Sequence, residues 1–218
     1  MAGTVATPVI HKPRMRGVLH QWACVASVVL GVLVVVFADG GRERVAAAVY
    51  AASVTGLFGA SALYHRVSWR PEVRRWMRRL DHSMIFVLIA GTYTPFALLA
   101  FDDGVGRALL IAVWCGAAGG VALKLLWIDA PNWLGVIVYV ALGWLAVWTF
   151  PALAEALGAV PTVLVALGGL LYTTGAVIYA TRRPDPVPAV FGYHEVFHLL
   201  VVIAAALQYA VVVFWVLL

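Results

Sequence analysis

Two histidines with the spacing of metal ligands, His194 and His198, lie four residues apart within a long apolar stretch. On an α-helix, side chains at this spacing share one face, with Cβ atoms about 5–6 Å apart. Imidazole nitrogens bind zinc at about 2.0–2.1 Å, and a catalytic zinc typically has three protein ligands and one open position. The pair therefore predicts two ligands of a zinc site, and a third ligand is needed from elsewhere in the chain.

His65 is the best candidate for the third ligand, because it ends another apolar stretch and is expected at the same depth as the pair. Ser61 lies one helical turn before His65 and could hydrogen-bond a neighbouring group or a bound water. Asp81 opens a third apolar stretch, where it could accept a proton from a water on the metal or orient a ligand imidazole. The sequence thus predicts metal ligands at His65, His194 and His198, with Asp81 and Ser61 as catalytic candidates.

The segment His194-Glu195-Val196-Phe197-His198 also matches the H-E-x-x-H pattern of zinc proteases, in which the glutamate is the general base. The soluble members of that class take a further ligand downstream, and the sequence contains no His, Asp or Glu after His198. An intramembrane protease with an upstream ligand stays open as an alternative. Glu195→Gln would distinguish the two models, because the protease would lose nearly all activity.

Membrane spans are the elements that must carry these side chains. Of the 218 residues, 64% are hydrophobic and 11% are charged, against about 25% charged residues in a soluble domain. The apolar residues suffice for seven spans of about 20 residues each, and the mean hydropathy of +0.96 agrees. The composition excludes a soluble globular protein and a disordered one. We predict an all-α, polytopic membrane protein, a seven-transmembrane helix bundle with spans at 18–37, 45–65, 82–101, 106–127, 132–150, 160–179 and 195–217.

Charged and turn-forming residues separate these spans, and the region from Pro151 to Pro161 is predicted as one of the breaks. Between spans two and three, apolar residues recur at helical spacing from Trp69 to Leu80, which predicts a short helix in the headgroup layer. The chain divides into a tail at 1–17 and a seven-transmembrane domain at 18–218.

The distribution of the fifteen Lys and Arg residues predicts the orientation. Twelve of them fall in the N-terminal tail, the second and sixth loops and next to the fourth loop, and three fall on the other side. By the positive-inside rule, the N-terminus is cytoplasmic and the C-terminus is outside, in a multi-pass protein of the cell (inner) membrane. This topology brings the candidate site residues, together with His20 and His82, to the cytoplasmic side. The net charge of +5 therefore reflects the orientation of the chain in the membrane, and no nucleic-acid partner is predicted.

Four separated motifs carry a family resemblance that covers essentially the whole chain. The order Ser61-x-x-x-His65, Leu80-Asp81-His82, Ile89-Ala90-Gly91-Thr92-Tyr93-Thr94-Pro95 and His194-x-x-x-His198 resembles the bacterial hemolysin III branch of the progestin and adipoQ receptor family. The segment Lys12-Pro13-Arg14-x-Arg16-Gly17-x-x-His20 also fits that branch. The resemblance implies a seven-helix bundle with a cytoplasmic N-terminus, zinc held by the three histidines, and Asp81 and Ser61 beside a bound water.

The resemblance also places the chain in a wider group of membrane hydrolases that includes the alkaline ceramidases. The first functional hypothesis is accordingly a zinc-dependent hydrolase of a lipid amide or ester that reaches the bundle interior from the bilayer. The second is a membrane-perturbing or pore-forming cytolysin, as the hemolysin III name suggests. The third is a receptor or membrane-lipid homeostasis sensor with structural zinc, and direct binding of the metal by Asp81 would favour this hypothesis.

Partners are membrane lipids, and the oligomeric state stays open, because Gly116-x-x-x-Gly120 could pack within the bundle or between protomers.

Overall fold

The computed structural model describes residues 12–217, and within this range seven helical segments are long and apolar enough to cross a membrane. The predicted all-α seven-span bundle is confirmed, while residues 1–11 of the predicted tail and Leu218 lie outside the described residues. The helices are α1 (Val18–Phe37), α2 (Gly41–Arg66), α3 (Pro71–Pro95), α4 (Asp103–Leu126), α5 (Asn132–Gly143), α6 (Ala146–Leu157), α7 (Ala159–Thr181) and α8 (Tyr193–Val211). Short π-helical segments extend α3 (Phe96–Ala100) and α8 (Val212–Leu217), and α5 with α6 forms the fifth span.

The third helix begins earlier than the sequence predicts. Its first residue is Pro71, which fits the first turn of a helix because the missing N–H would have no intrahelical partner there. The residues predicted to form a separate headgroup helix are the first turns of α3, and Trp76 among them is exposed. The arginines of this region therefore project from one end of a membrane-spanning helix.

The break predicted from Pro151 to Pro161 is present but shorter than predicted, because only Gly158 separates the fifth span from the sixth. Pro151 lies inside α6, which continues to Leu157, and the helix ends at Gly158 with a left-handed φ of 87° that suits glycine. A second interruption, which the sequence does not predict, falls inside the fifth span between Gly143 and Ala146, where Trp144 Nε1 donates to Thr173 Oγ1 of α7 at 3.0 Å. A proline in a membrane helix is tolerated because neighbouring groups can satisfy the freed carbonyl.

Glycines allow close packing between neighbouring helices of the bundle. A Cβ at Gly91 would lie 2.4 Å from Ser53 Cβ of α2, and one at Gly120 would lie 2.3 Å from Phe86 of α3. A Cβ at Gly116 would lie 2.6 Å from Leu142 of α5. Both glycines of the Gly116-x-x-x-Gly120 motif therefore pack within the bundle. Exposed apolar side chains, the largest number of them on α1, form the surface that contacts membrane lipids.

Candidate metal centre

Three imidazoles converge at one end of the bundle. His65 comes from the last turn of α2, and His194 and His198 come from the first turns of α8. Nε2 of His65 lies 3.2 Å from Nε2 of His194, and candidate ligand atoms of the three histidines all lie within 4.8 Å of one another. Tetrahedral ligands at the usual zinc–nitrogen distance are about 3.3 Å apart. The triad that the sequence predicts is thus brought together at a spacing that could hold one metal ion.

The burial of the triad also fits a metal. His65 and His198 are buried, and Nδ1 of His198 has no hydrogen-bond partner in the described part of the chain. Buried polar atoms are nearly always hydrogen-bonded, so a cluster of buried imidazoles with an unpaired nitrogen indicates a site for another group. The donor set is all nitrogen, which suits zinc and other first-row divalent metals.

Asp81 lies beside the triad without touching it. Its Oδ2 is 3.9 Å from His65 Nε2 and 3.4 Å from Nδ1 of His82, the next residue on α3. The first distance is too long for a direct hydrogen bond, and it leaves the carboxylate within reach of a group bound beside His65. The structure therefore places the predicted carboxylate next to the cluster, at a distance that suits a group acting on a bound water.

His20 belongs to the site, and the sequence does not predict its contacts there. Its Nδ1 lies 2.8 Å from Ser61 Oγ, and its ring stacks on His198 with centroids 3.8 Å apart and an angle of 13°. The side chain is only 3% exposed, and its far edge packs on Phe58. The one signal in the sequence was the predicted depth of His20, which matched that of the other four histidines without assigning a role. Ser61 thus lies near the triad and makes its hydrogen bond to His20.

Glu195, the general base of the protease alternative, is engaged elsewhere. Its Oε1 accepts a hydrogen bond from Arg16 Nε at 2.5 Å, and its Oε2 accepts one from the backbone N–H of Gly192 at 2.9 Å. The side chain is 1% exposed, so it forms a buried ion pair and caps the start of α8. With both oxygens occupied in this way, Glu195 has a structural role in this geometry.

The N-terminal segment, residues 12–17, covers this end of the bundle. Backbone N–H groups of Arg14 and Met15 donate to the carbonyls of Ala189 and Val190, in the loop between α7 and α8. Gly17, with φ of 79°, packs so closely that a Cβ there would lie 2.7 Å from His65 Cβ. The surface around the segment is basic. Burial first, and then repulsion from Arg66, Arg74 and Arg16, lowers the pKa of Lys12.

A cavity of about 320 Å³ extends from the histidine cluster into the bundle. Its polar end includes Ser61, Asp81 and His194, and the rest of the wall is mainly apolar and comes from α3, α5, α6, α7 and α8. A cavity with one polar end and long apolar walls suits a ligand with a hydrocarbon chain and a polar head.

Fold and site together define a multi-pass α-helical membrane protein with a buried histidine cluster at the head of an apolar cavity. Residues 9–209 match the family model described as Haemolysin-III related. The chain belongs to the hemolysin III family, within the wider progestin and adipoQ receptor family. In a bacterium, such a protein resides in the cell membrane.

Several relatives match over most of their length. The chain is 29% identical over 203 residues to the hemolysin-3 homolog of Bacillus subtilis (strain 168), covering 92% of both chains. It is 32% identical over 190 residues to hemolysin-3 of Bacillus cereus, covering 85% of this chain and 84% of that one. It is 25% identical over 194 residues to the human monocyte to macrophage differentiation factor, covering 87% and 78%.

Proposed function

We propose that this protein is a zinc-dependent hydrolase of a lipid amide or ester, with ceramidase-like activity, whose site faces the cytoplasmic side of the membrane. The observation that carries the proposal is the convergence of His65, His194 and His198 beside Asp81 at the head of an apolar cavity. When bound by the three histidines, zinc supplies Lewis-acid polarisation of a carbonyl and lowers the pKa of a water.

Asp81 is the proposed proton acceptor. The attacking water forms the new bond to the carbonyl carbon and gives one proton to the Asp81 carboxylate, which then delivers it to the departing amine or alcohol. Asp81 Oδ2 lies 3.9 Å from His65 Nε2, close enough to accept a hydrogen bond from a water beside that histidine. Ser61, held by His20 at 2.8 Å, is proposed to keep the water oriented.

The apolar cavity is proposed to hold the acyl chain of the substrate. A water-insoluble substrate would enter from the bilayer, because residues 12–17 cover the end of the bundle nearest the histidines. The apolar walls would bind the chain through area burial, and the polar head of the cavity would hold the scissile bond near Asp81.

An amidase assay on the purified protein tests the proposal. We expect bound zinc by metal analysis, loss of turnover with chelator, and a loss of about 10²–10⁴-fold in kcat for Asp81→Ala. Asp129→Ala is the matched control, because this carboxylate pairs with Arg75 and Arg78 on the surface and should leave turnover unchanged. Turnover that persists after complete metal removal would contradict the hydrolase proposal.

A second candidate function is a lipid sensor with structural zinc, and the position of Asp81 favours it. Structural zinc normally has four protein ligands, and a small movement of Asp81 toward His65 would supply the fourth. In that case metal removal lowers the unfolding temperature, Asp81→Ala weakens metal binding strongly, and no turnover of lipid amides or esters is found.

The third candidate is a cytolysin, which the name of the Bacillus cereus relative, hemolysin-3, favours. Lysis of erythrocyte-like vesicles by the wild type that persists in His65→Ala would support it. Loss of lysis in His65→Ala would contradict a cytolytic activity independent of the histidine cluster.

A further inference from the structure

Two polar side chains deep in the cavity, those of Tyr172 and Gln208, each carry a buried oxygen without a hydrogen-bond partner among the described residues. Two other polar groups on the wall have partners in the protein: Tyr93 donates to the Gly143 carbonyl, and Thr173 donates to the Gly169 carbonyl. The Tyr172 hydroxyl and the Gln208 Oε1 are buried and have no partner among the described residues, and both residues line the cavity. The only other unpaired buried atoms on the described wall are imidazole nitrogens at the metal centre.

The amide orientation of Gln208 follows from its one hydrogen bond. Nε2 donates to the Val165 carbonyl of α7 at 3.2 Å, and a carbonyl can only accept, so the free atom is the acceptor Oε1. The residue is 6% exposed. A Cβ at Gly168 would lie 2.7 Å from Nε2, so the amide rests on α7 one helical turn from Tyr172. Gln208 thus contacts α7 one helical turn from the residue that carries the other unpaired oxygen.

These two residues lie well away from the metal centre. Gln208 follows His198 by ten residues on α8, which is about 15 Å along the helix. Tyr172 precedes Tyr179 by seven residues, about 10 Å, and the Tyr179 ring packs 5.4 Å from that of His194. At this depth, near the middle of the bilayer, an unsatisfied polar group costs free energy that a matching ligand group would recover.

We propose that Tyr172 and Gln208 form a second recognition site, for a hydroxyl group on the acyl chain of the lipid. The inference rests on the proposed function, because the metal centre must hold the carbonyl end of that lipid. A rise of roughly 1.25 Å per methylene, from single bonds of about 1.5 Å, places the hydroxyl about 8–12 carbons from the carbonyl. The preferred substrate is therefore a lipid with a hydroxyl near the middle of its acyl chain.

The donor and acceptor pattern selects a hydroxyl over other oxygen groups. A hydroxyl can donate to Gln208 Oε1 and accept from the Tyr172 hydroxyl at the same time. A ketone can only accept, so it would pair with Tyr172 and leave Gln208 Oε1 unsatisfied. An unsubstituted chain would leave both groups unpaired, at the cost that buried polar atoms carry.

Competition binding against a fluorescent fatty acid, with the full-length protein in nanodiscs, tests the inference. We expect 10-hydroxystearate to bind about tenfold more tightly than stearate. The affinity of the ketone 10-oxostearate should lie between those two. The acid 17-hydroxystearate, whose hydroxyl is near the far end of the chain, should bind no more tightly than stearate.

Substitutions of the two residues that carry the unpaired oxygens complete the test. Tyr172→Phe should remove most of the preference for 10-hydroxystearate, leave stearate affinity unchanged and cause no loss of thermal stability, since the lost hydroxyl has no protein partner. Tyr93→Phe is the matched control: it should keep the preference but lower stability, because that hydroxyl donates to Gly143. Gln208→Met should also lose the preference.

The two proposals fail in different ways. Equal affinity for stearate and 10-hydroxystearate, the result expected if ordered water alone satisfies the two side chains, overturns this inference and leaves the hydrolase proposal standing. A preference that survives in both Tyr172→Phe and Gln208→Met likewise overturns it. If none of the four acids binds, the acyl-chain role of the cavity is overturned together with the inference.

Discussion

Among single residues, His20 offers the sharpest test of how the proposed metal ligands are held. Its ring stacks on His198 and its Nδ1 contacts Ser61 Oγ. Groups that orient a ligand imidazole typically contribute about 10–100-fold to metal affinity, so we expect at least tenfold weaker zinc binding for His20→Leu, which removes both contacts. Ser61→Ala should weaken binding less, because stacking is kept. The double variant should match His20→Leu, since the Ser61 contact acts through His20. Chelator competition measures all three, and additive losses would contradict this coupling.

At the same scale, the sequence predicted the three histidines and Asp81 but not their supporting contacts. Spacing within a helix and depth in the membrane are local properties, so they located His65, His194 and His198 at one end of the bundle. The stacking of His20 depends on how α1 rotates against α8, and local periodicity does not determine that rotation. The pairing of Glu195 with Arg16 is equally non-local, because 179 residues separate them.

Among the elements, the buried ion pair joins the N-terminal segment to α8, and its two halves differ in burial. Arg16 is 21% exposed and Glu195 is 1% exposed. Arg16→Met leaves a buried carboxylate unpaired and should cost about 3 kcal/mol of unfolding free energy. Glu195→Gln keeps the acceptor for Gly192 and leaves an arginine that can reach water, so it should cost about 1 kcal/mol. Denaturant unfolding in mixed micelles measures both. Adding Glu195→Gln to Arg16→Met should restore stability, and a larger loss for Glu195→Gln alone would contradict this account.

Packing between α3 and α4 gives a prediction with a control in the adjacent residue. A Cβ at Gly120 would lie 2.3 Å from the Phe86 ring, whereas one at Gly119 would meet nothing within 4 Å. Gly120→Ala should therefore cost about 1–3 kcal/mol through overpacking, and Gly119→Ala should leave the unfolding temperature unchanged or raise it. Equal effects of the two substitutions would show that helix propensity, and not contact, determines the result.

The seven spans were predictable as elements because hydrocarbon thickness fixes their length and composition. The errors in the predicted helix bounds occurred where contacts with neighbouring helices determine the local structure. Pro151 continues a helix because the surrounding bundle tolerates it, and the turn at Trp144 is stabilised by a hydrogen bond to Thr173 of α7. Neither contact leaves a periodic pattern in the sequence.

For the whole molecule, the orientation in the membrane decides which compartment the candidate metal centre faces. Twelve of the fifteen Lys and Arg residues lie on the side that holds the histidine cluster, so we expect this end in the cytoplasm. With Cys24 and Cys115 replaced by serine, Arg182→Cys probes the loop before α8 and Asp39→Cys probes the opposite end; both positions are exposed. A membrane-impermeant maleimide added to intact right-side-out cells should label Asp39→Cys and should label Arg182→Cys only after permeabilisation.

The reverse pattern of labelling would place the histidine cluster on the outer face. Any lipid hydrolysed at the cluster would then be expected from the outer leaflet, because that leaflet would be the one nearest His65 and His194.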